Sequence, residues 1–221
     1  MRKTEPTERK VSRRWPLISG SAAIALVAVL AALVHFRPRA PFAFDQEWLA
    51  ELVEHRSPFW DAPALFMNSL GGGVVGVVIV PLVTIVVLLL FRRPWAAGYY
   101  GITVAVSAAL VQLLKVFVAR ARPSDMLVPS DFGSFPSGHV ANAATIAVVL
   151  ALVFPAVWVW IAGGCYTIIM MLSRTYLGVH WLSDTIGGLL LGAGIAVIIW
   201  APVASRLLEE RRRPHRLIWQ R

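Results

Sequence analysis

The feature that most constrains this chain is a set of long apolar runs with almost no charge in them. Residues 17–36 form twenty consecutive positions without an Asp, Glu, Lys or Arg. A bilayer core is crossed by about 20 residues of helix, and a backbone in lipid must satisfy its own N–H and C=O groups. The runs therefore predict an all-α, polytopic membrane protein. Six spans are expected: 17–36, one from about 65 or 71 to 91, 97–118, 140–153 extended toward Trp158, 158–172 and 182–204. Charged residues are only 15% of the 221, where a soluble domain carries about 25%.

The polar stretches punctuate this pattern. Residues 1–16 form a basic tail, 17–204 a single membrane domain and 205–221 a second basic tail. A basic start followed by an apolar run resembles a signal peptide, but the run is long and no A-x-A site follows, so it is read as a retained helix. After Pro38 and Pro41, residues 44–56 place Trp48, Leu49, Leu52 and Val53 on one helical face. Asp45, Glu47, Glu51, Glu54 and Arg56 take the rest, and His55 is read as solvated. This predicts a short external helix lying in the membrane interface. Gly71-Gly72-Gly73 fits no phosphate-loop motif and points to close helix contact or a flexible entry. Pro81 predicts a kink, and Phe154-Pro155 a tight turn. Cys165 is the single cysteine, so no intrachain disulfide forms; it is read as a small buried apolar residue.

The net charge of +9 would suggest nucleic acid in a soluble protein. Here the cations gather at span ends and tails, and no nucleic-acid partner is expected. Six lie in the N-terminal tail, two at Arg92 and Arg93, and six in the C-terminal tail. Basic residues favour the cytoplasmic side, so both termini are placed there. The other seven fall on the outer, periplasmic or extracellular, side. Four of them, Lys115, Arg120, Arg122 and Arg174, border one pair of outer loops, where binding of an anion would explain them.

Three stretches share that side. Lys115 and Arg122, the latter followed by Pro123, sit at a span end. Pro136-Ser137-Gly138-His139 precedes an apolar run and reads as a helix start, whose unpaired amides and dipole attract anions. Ser173 and Arg174 precede His180 and Asp184, which are four apart and would share a helical face. Asp184 is the lone carboxylate between Asp131 and Glu209, and an ionised group opening a span calls for a partner. An Asp beside a His fixes its tautomer and stabilises the charge it gains on attacking an electrophile.

These parts describe phosphoryl transfer without a metal. Lys115, Arg122 and Arg174 would neutralise the phosphoryl oxygens. His180 would attack phosphorus; His139 would protonate the leaving oxygen and then activate water. No metal or other cofactor is expected: divalent cations want clustered carboxylates, Asp125 and Asp131 read as ordinary loop residues, and three cations oppose zinc at His139, His180 and Asp184. A Ser137–His–Asp esterase would leave the cations idle, and a Ser at a helix start reads as a cap.

At these residues the chain resembles the type 2 phosphatidic acid phosphatase family, whose motifs are K-x6-R-P, P-S-G-H and S-R-x5-H-x3-D. All three are complete and in order. The resemblance covers about residues 44–204 and implies six helices with a site at the outer membrane surface. It assigns phosphate binding to Lys115, Arg122, Ser137, Gly138 and Arg174, the acid role to His139, the nucleophile to His180 and its orientation to Asp184. The expected activity is removal of a terminal phosphate from a membrane lipid: polyprenyl diphosphate, phosphatidic acid or phosphatidylglycerol phosphate. Phosphoryl transfer between lipids, and a non-catalytic lipid carrier on the same fold, are the alternatives. Arg120 lies outside the motifs and is read either as a grip on a second phosphate or as a surface cation.

Overall fold

The computed structural model describes residues 14–37 and 41–212. Eight α-helices follow in order: α1 (Arg14–Phe36), α2 (Ala43–Glu54), α3 (Pro58–Gly71), α4 (Val80–Leu90), α5 (Pro94–Val118), α6 (Gly138–Val153), α7 (Val157–Tyr176) and α8 (Leu182–Arg212). A π turn, Val75–Ile79, joins α3 to α4. No strand occurs among the described residues. Four helices (α1, α5, α7 and α8) are long and apolar enough to cross a membrane alone, and α3 with the segment Val75–Leu90, bent by 46°, is a fifth if the pair is counted as one span. The sixth apolar run, α6, is helical but has only 16 residues, about 24 Å of helix. Multi-pass membrane architecture is thus the observed class.

The bundle is sorted by size as lipid requires. Large apolar side chains such as Leu26, Leu33, Leu113, Phe117, Ile161 and Ile168 lie exposed on the outside. Small residues face inward, because helices in lipid associate through close packing rather than hydrophobic exclusion. α6 sits at the centre and buries Ala141, Ala143, Ala144 and Ala151. Against it α8 sets Gly188 and Gly192, where an added Cβ would run into the carbonyls of Ser137 and Ala141. Close helix approach therefore fixes the register of α8, which carries Asp184, against α6, which carries His139.

α1 lies antiparallel to α8: Gly20 packs on Gly194 and Ile198, and Val27 and Ala31 join Val118, Phe135 and Leu191 in one apolar cluster. The described N- and C-terminal residues thus lie at one end of the bundle. The turns carrying the three sequence motifs lie at the other.

Three local expectations differ from what the chain does. The 46° bend lies at the break between Gly71 and Val75, ahead of the π turn and not at Pro81; Pro81 occupies the first turn of α4, where its missing N–H costs nothing. α8 continues eight residues past position 204 to Arg212, because Leu207 and Glu210 are buried against the bundle. Of the expected basic tails, positions 1–13 and 213–221 fall outside the described residues. Cys165 is exposed on α7, facing outward rather than inward.

Candidate active site

α5 ends just beyond Lys115, where Ala119 takes a left-handed conformation (φ 49°) and turns the chain. The loop from 119 to 137 then folds back over the helix ends. Arg122 holds it there: Nε donates to the Asp131 carbonyl at 2.8 Å, Nη2 to Asp131 Oδ1 at 2.6 Å and to the Gly133 carbonyl at 2.9 Å. Its Nη1 reaches the turn between α7 and α8, donating to the Val179 carbonyl and lying 3.4 Å from His180 Nε2. The Ser137 N–H donates to the Asp184 carbonyl at 3.0 Å, joining the start of α6 to that of α8. Three stretches far apart in sequence are bonded into one end of the bundle.

They surround a cavity of about 600 Å³. Lys115, Gly138, His139, Arg174 and His180 line it at the polar end, while Val75, Val77, Val104 and Val111 continue it down between the membrane helices. Asn68 on α3 organises the opposite wall. Its side-chain oxygen accepts Arg174 Nη1 at 2.6 Å, and its carbonyl lies 3.1 Å from His139 Nε2. A carbonyl only accepts, so neutral His139 carries its proton on Nε2 and its lone pair on Nδ1. Gly72 lets α3 come this near: any side chain there would collide with the His139 ring. The glycine run is thus a close-contact device, one of the two readings its sequence allowed.

His180 lies in the turn before α8, not on the helix. Its pairing with Asp184 comes from helix-start geometry instead of a shared face. Asp184 Oδ2 accepts the Trp181 N–H at 2.9 Å, reaching back to the N-terminal turn as a capping-box carboxylate does. The same oxygen lies 3.6 Å from His180 Nδ1. With Nδ1 facing the carboxylate and Nε2 facing an Arg donor, the lone pair belongs on Nε2. Burial pushes the His180 pKa down; Asp184 opposes this, Arg122 and Arg174 reinforce it, and the result is about 4. The ring is therefore neutral at pH 7. Ser137 Oγ, Arg174 Nε and His180 Nδ1 are buried without a hydrogen-bond partner among the described residues. Ser137 holds the N-cap position of α6 but makes no capping bond, contrary to its reading as a cap.

All eight candidate residues are thus brought together. Asp131 is more than an ordinary loop residue: its carboxylate bonds Lys115 Nζ at 2.9 and 3.0 Å as well as Arg122. Burial alone would raise its pKa, but the Lys115 and Arg122 cations outweigh this and hold it below the ordinary value. Asp45, placed on the solvated face of α2, is wholly buried because Arg120 and Ser183 bond it. Arg120 is consumed by Asp45 and Asp184. No spacing rule could have flagged Asn68 or Asp131, since their partners lie in other turns. Among the described residues no group of three or more His, Cys, Asp or Glu side chains has metal-site geometry.

The arrangement is an all-helical membrane scaffold with a cavity lined by histidines and cations. It superposes on the crystal structure of a transmembrane PAP2-type phosphatidylglycerolphosphate phosphatase from Bacillus subtilis with a TM-score of 0.74, 23% identity, and coverage of 90% of this chain and 99% of that one; this likeness is one of fold. Residues 96–207 match the PAP2 superfamily, and the chain belongs to that superfamily. It is 35% identical to the undecaprenyl-diphosphatase of Sulfolobus acidocaldarius over 120 residues, 50% of this chain and 57% of that protein. It is 29% identical to phosphatidylglycerophosphatase B of Bacillus subtilis over 176 residues, 74% of this chain and 84% of that protein.

Proposed function

We propose that this PAP2-superfamily membrane protein hydrolyses the terminal phosphate of a lipid phosphate or diphosphate through a metal-independent phosphohistidine. The observation that carries the reading is His180: neutral, backed by Asp184 on one nitrogen and with Arg122 beside the other, at the polar end of a cavity whose remainder is apolar. A phosphate at that end meets Lys115, Arg122 and Arg174, and a lipid chain is accommodated by the valine-lined part. Ser137, with its unpartnered hydroxyl, and the first amides of α6 at Gly138 complete the anion cradle.

In the first step, with the substrate phosphate bound and His139 protonated on both nitrogens, His180 Nε2 bonds phosphorus, the bond from phosphorus to the lipid oxygen breaks, and that oxygen takes the Nδ1 proton of His139. In the second, His139 removes a proton from water, the water oxygen attacks phosphorus, and the bond to Nε2 breaks. Inorganic phosphate leaves and both histidines return to their starting states. The cations offset the charge that builds on the phosphoryl oxygens. Asp184 stabilises the positive charge on His180. The distribution of cations supports a cavity end facing outward and both termini in the cytoplasm.

The names of the relatives supply two substrate classes, a polyprenyl diphosphate and a phosphatidylglycerol phosphate, and phosphatidic acid carries the same terminal group. Detergent-purified protein should release inorganic phosphate from such lipids in excess EDTA, and His180→Ala should release none. Loss of activity in EDTA, or activity surviving in His180→Ala, would defeat the mechanism. A new phospholipid in place of inorganic phosphate would make the protein a lipid phosphotransferase.

A further inference from the structure

We infer that Asp45 and Arg120 are positioning residues for the nucleophile, forming a buried relay from α2 through Asp184 to His180. The inference rests on the phosphohistidine reading above. Asp45 lies outside the residues matched to the superfamily and is 0% exposed. Its Oδ1 accepts the Ser183 N–H at 2.8 Å; its Oδ2 accepts the Ser183 hydroxyl and Arg120 Nη2, each at 2.7 Å. Arg120 Nη1 donates to Ser183 Oγ at 2.7 Å and to Asp184 Oδ1. Its guanidinium lies 5.7 Å from the ring centroids of both Phe42 and Trp181.

Two consequences follow. Arg120 points both arms of its fork at protein carboxylates, so it has none for a second phosphate. Asp184 has both oxygens assigned, Oδ1 to Arg120 and Oδ2 to the Trp181 N–H, which leaves one orientation in which Oδ2 faces His180 Nδ1. Arg120 sets that orientation, and Asp45 sets Arg120. Burying three charges is costly, and removing one partner strands the others. The cluster carries two negative charges and one positive, so its net charge also sets the field at His180. The other groups facing His180 are Arg122 after α5, Arg174 on α7, Lys115 on α5, Asp131 in the loop and His139 on α6.

The relay predicts opposite shifts from its two ends. Arg120→Gln leaves two buried carboxylates without their shared cation, which should raise the His180 pKa and move the acid limb of kcat/KM up by about one pH unit. Asp45→Asn leaves the cation wholly to Asp184 and should move the limb down. The double variant should fall between. Because positioning is disturbed, kcat should drop about tenfold to a hundredfold, with KM held within about twofold. The full-length enzyme is assayed in detergent, and histidine NMR reads the His180 titration directly. The substrate's own ionisation is common to all variants and cancels. Shifts of opposite sign support the relay; shifts of equal sign, or none, overturn it. If Arg120→Gln does not fold, Asp45→Asn decides alone by whether the His180 titration moves down. Absence of phosphate release from the wild type would sink the proposed function, while the NMR titrations would still test the relay.

Discussion

The two ends of α8 each bury a carboxylate, and the two are used in different ways. At the cavity end Asp184 is 0% exposed and is held by Arg120, the Trp181 N–H and the approach of His180. At the far end Glu210 is 5% exposed and accepts the N–H groups of Trp95 at 2.9 Å and Ala96 at 3.0 Å. Glu210 thereby caps α5, matching an anion to the positive end of the helix dipole. One carboxylate faces groups that can change protonation; the other faces amides that cannot. The first therefore shapes reactivity and the second stability. What a buried acid touches decides its role, more than how deeply it is buried.

The largest expected effect breaks the cavity end alone. Asp184→Asn keeps the size of the side chain and loses its charge. The imidazole then lacks both its tautomer partner and the stabilisation of its positive charge, and turnover should fall by about 10³–10⁴-fold. Circular dichroism and the melting temperature in detergent should show the helices intact. Near-normal turnover would mean that Asp184 serves only as a helix cap.

The pH dependence sharpens the same contrast. His180 has a folded pKa depressed from 6.5 to about 4. Between those values the unfolded chain holds a proton on this ring and the folded chain does not, so stability rises with pH there. Its contribution is complete above pH 6.5 and is lost as pH falls toward 4. Relative to wild type, His180→Gln should flatten the stability profile across that window. An unchanged slope would mean that the ring is not held neutral.

At the far end, Glu210→Ala removes the partner of two helix-start amides. It should cost about 1–2 kcal/mol, read as a lower melting temperature, while kcat per folded enzyme stays at the wild-type level. A loss of kcat without a loss of stability would show that the far end reaches the chemistry.

The same contrast explains what the sequence made legible. The spans could be read because lipid imposes one rule on every residue in them. The triad of Lys115, Arg122 and Arg174 and the pair of His180 and Asp184 could be read because chemistry fixes residue types at short spacings. Asp45 could not: its helical pattern placed it among solvated acids, and only the partners Arg120 and Ser183, distant in the chain, make it a buried residue. Glu210 fell in an expected tail for the same reason, since its amide partners lie at Trp95 and Ala96. The helical pairing of His180 with Asp184 was right in outcome and wrong in cause, because a capping turn brings them together. Local patterns report the solvent a segment meets, while buried ion networks depend on which turns meet.

The smallest expected effect concerns Asp131, the cavity-end carboxylate that resembles neither of the other two. Its side chain is 61% exposed, and it holds the Lys115 and Arg122 cations that the proposed substrate phosphate would need. Such a pair is worth about 0.5–1 kcal/mol with one partner in solvent. A phosphate must displace that interaction to engage both cations. Asp131→Asn should therefore lower KM by about two- to fivefold and leave kcat nearly unchanged. Added salt should narrow the gap, since exposed charges are screened over about 10 Å at 0.1 M. A raised KM would show instead that Asp131 holds the two cations in place for the phosphate, which would put it with Asp45 and Asp184 among the residues that build the site.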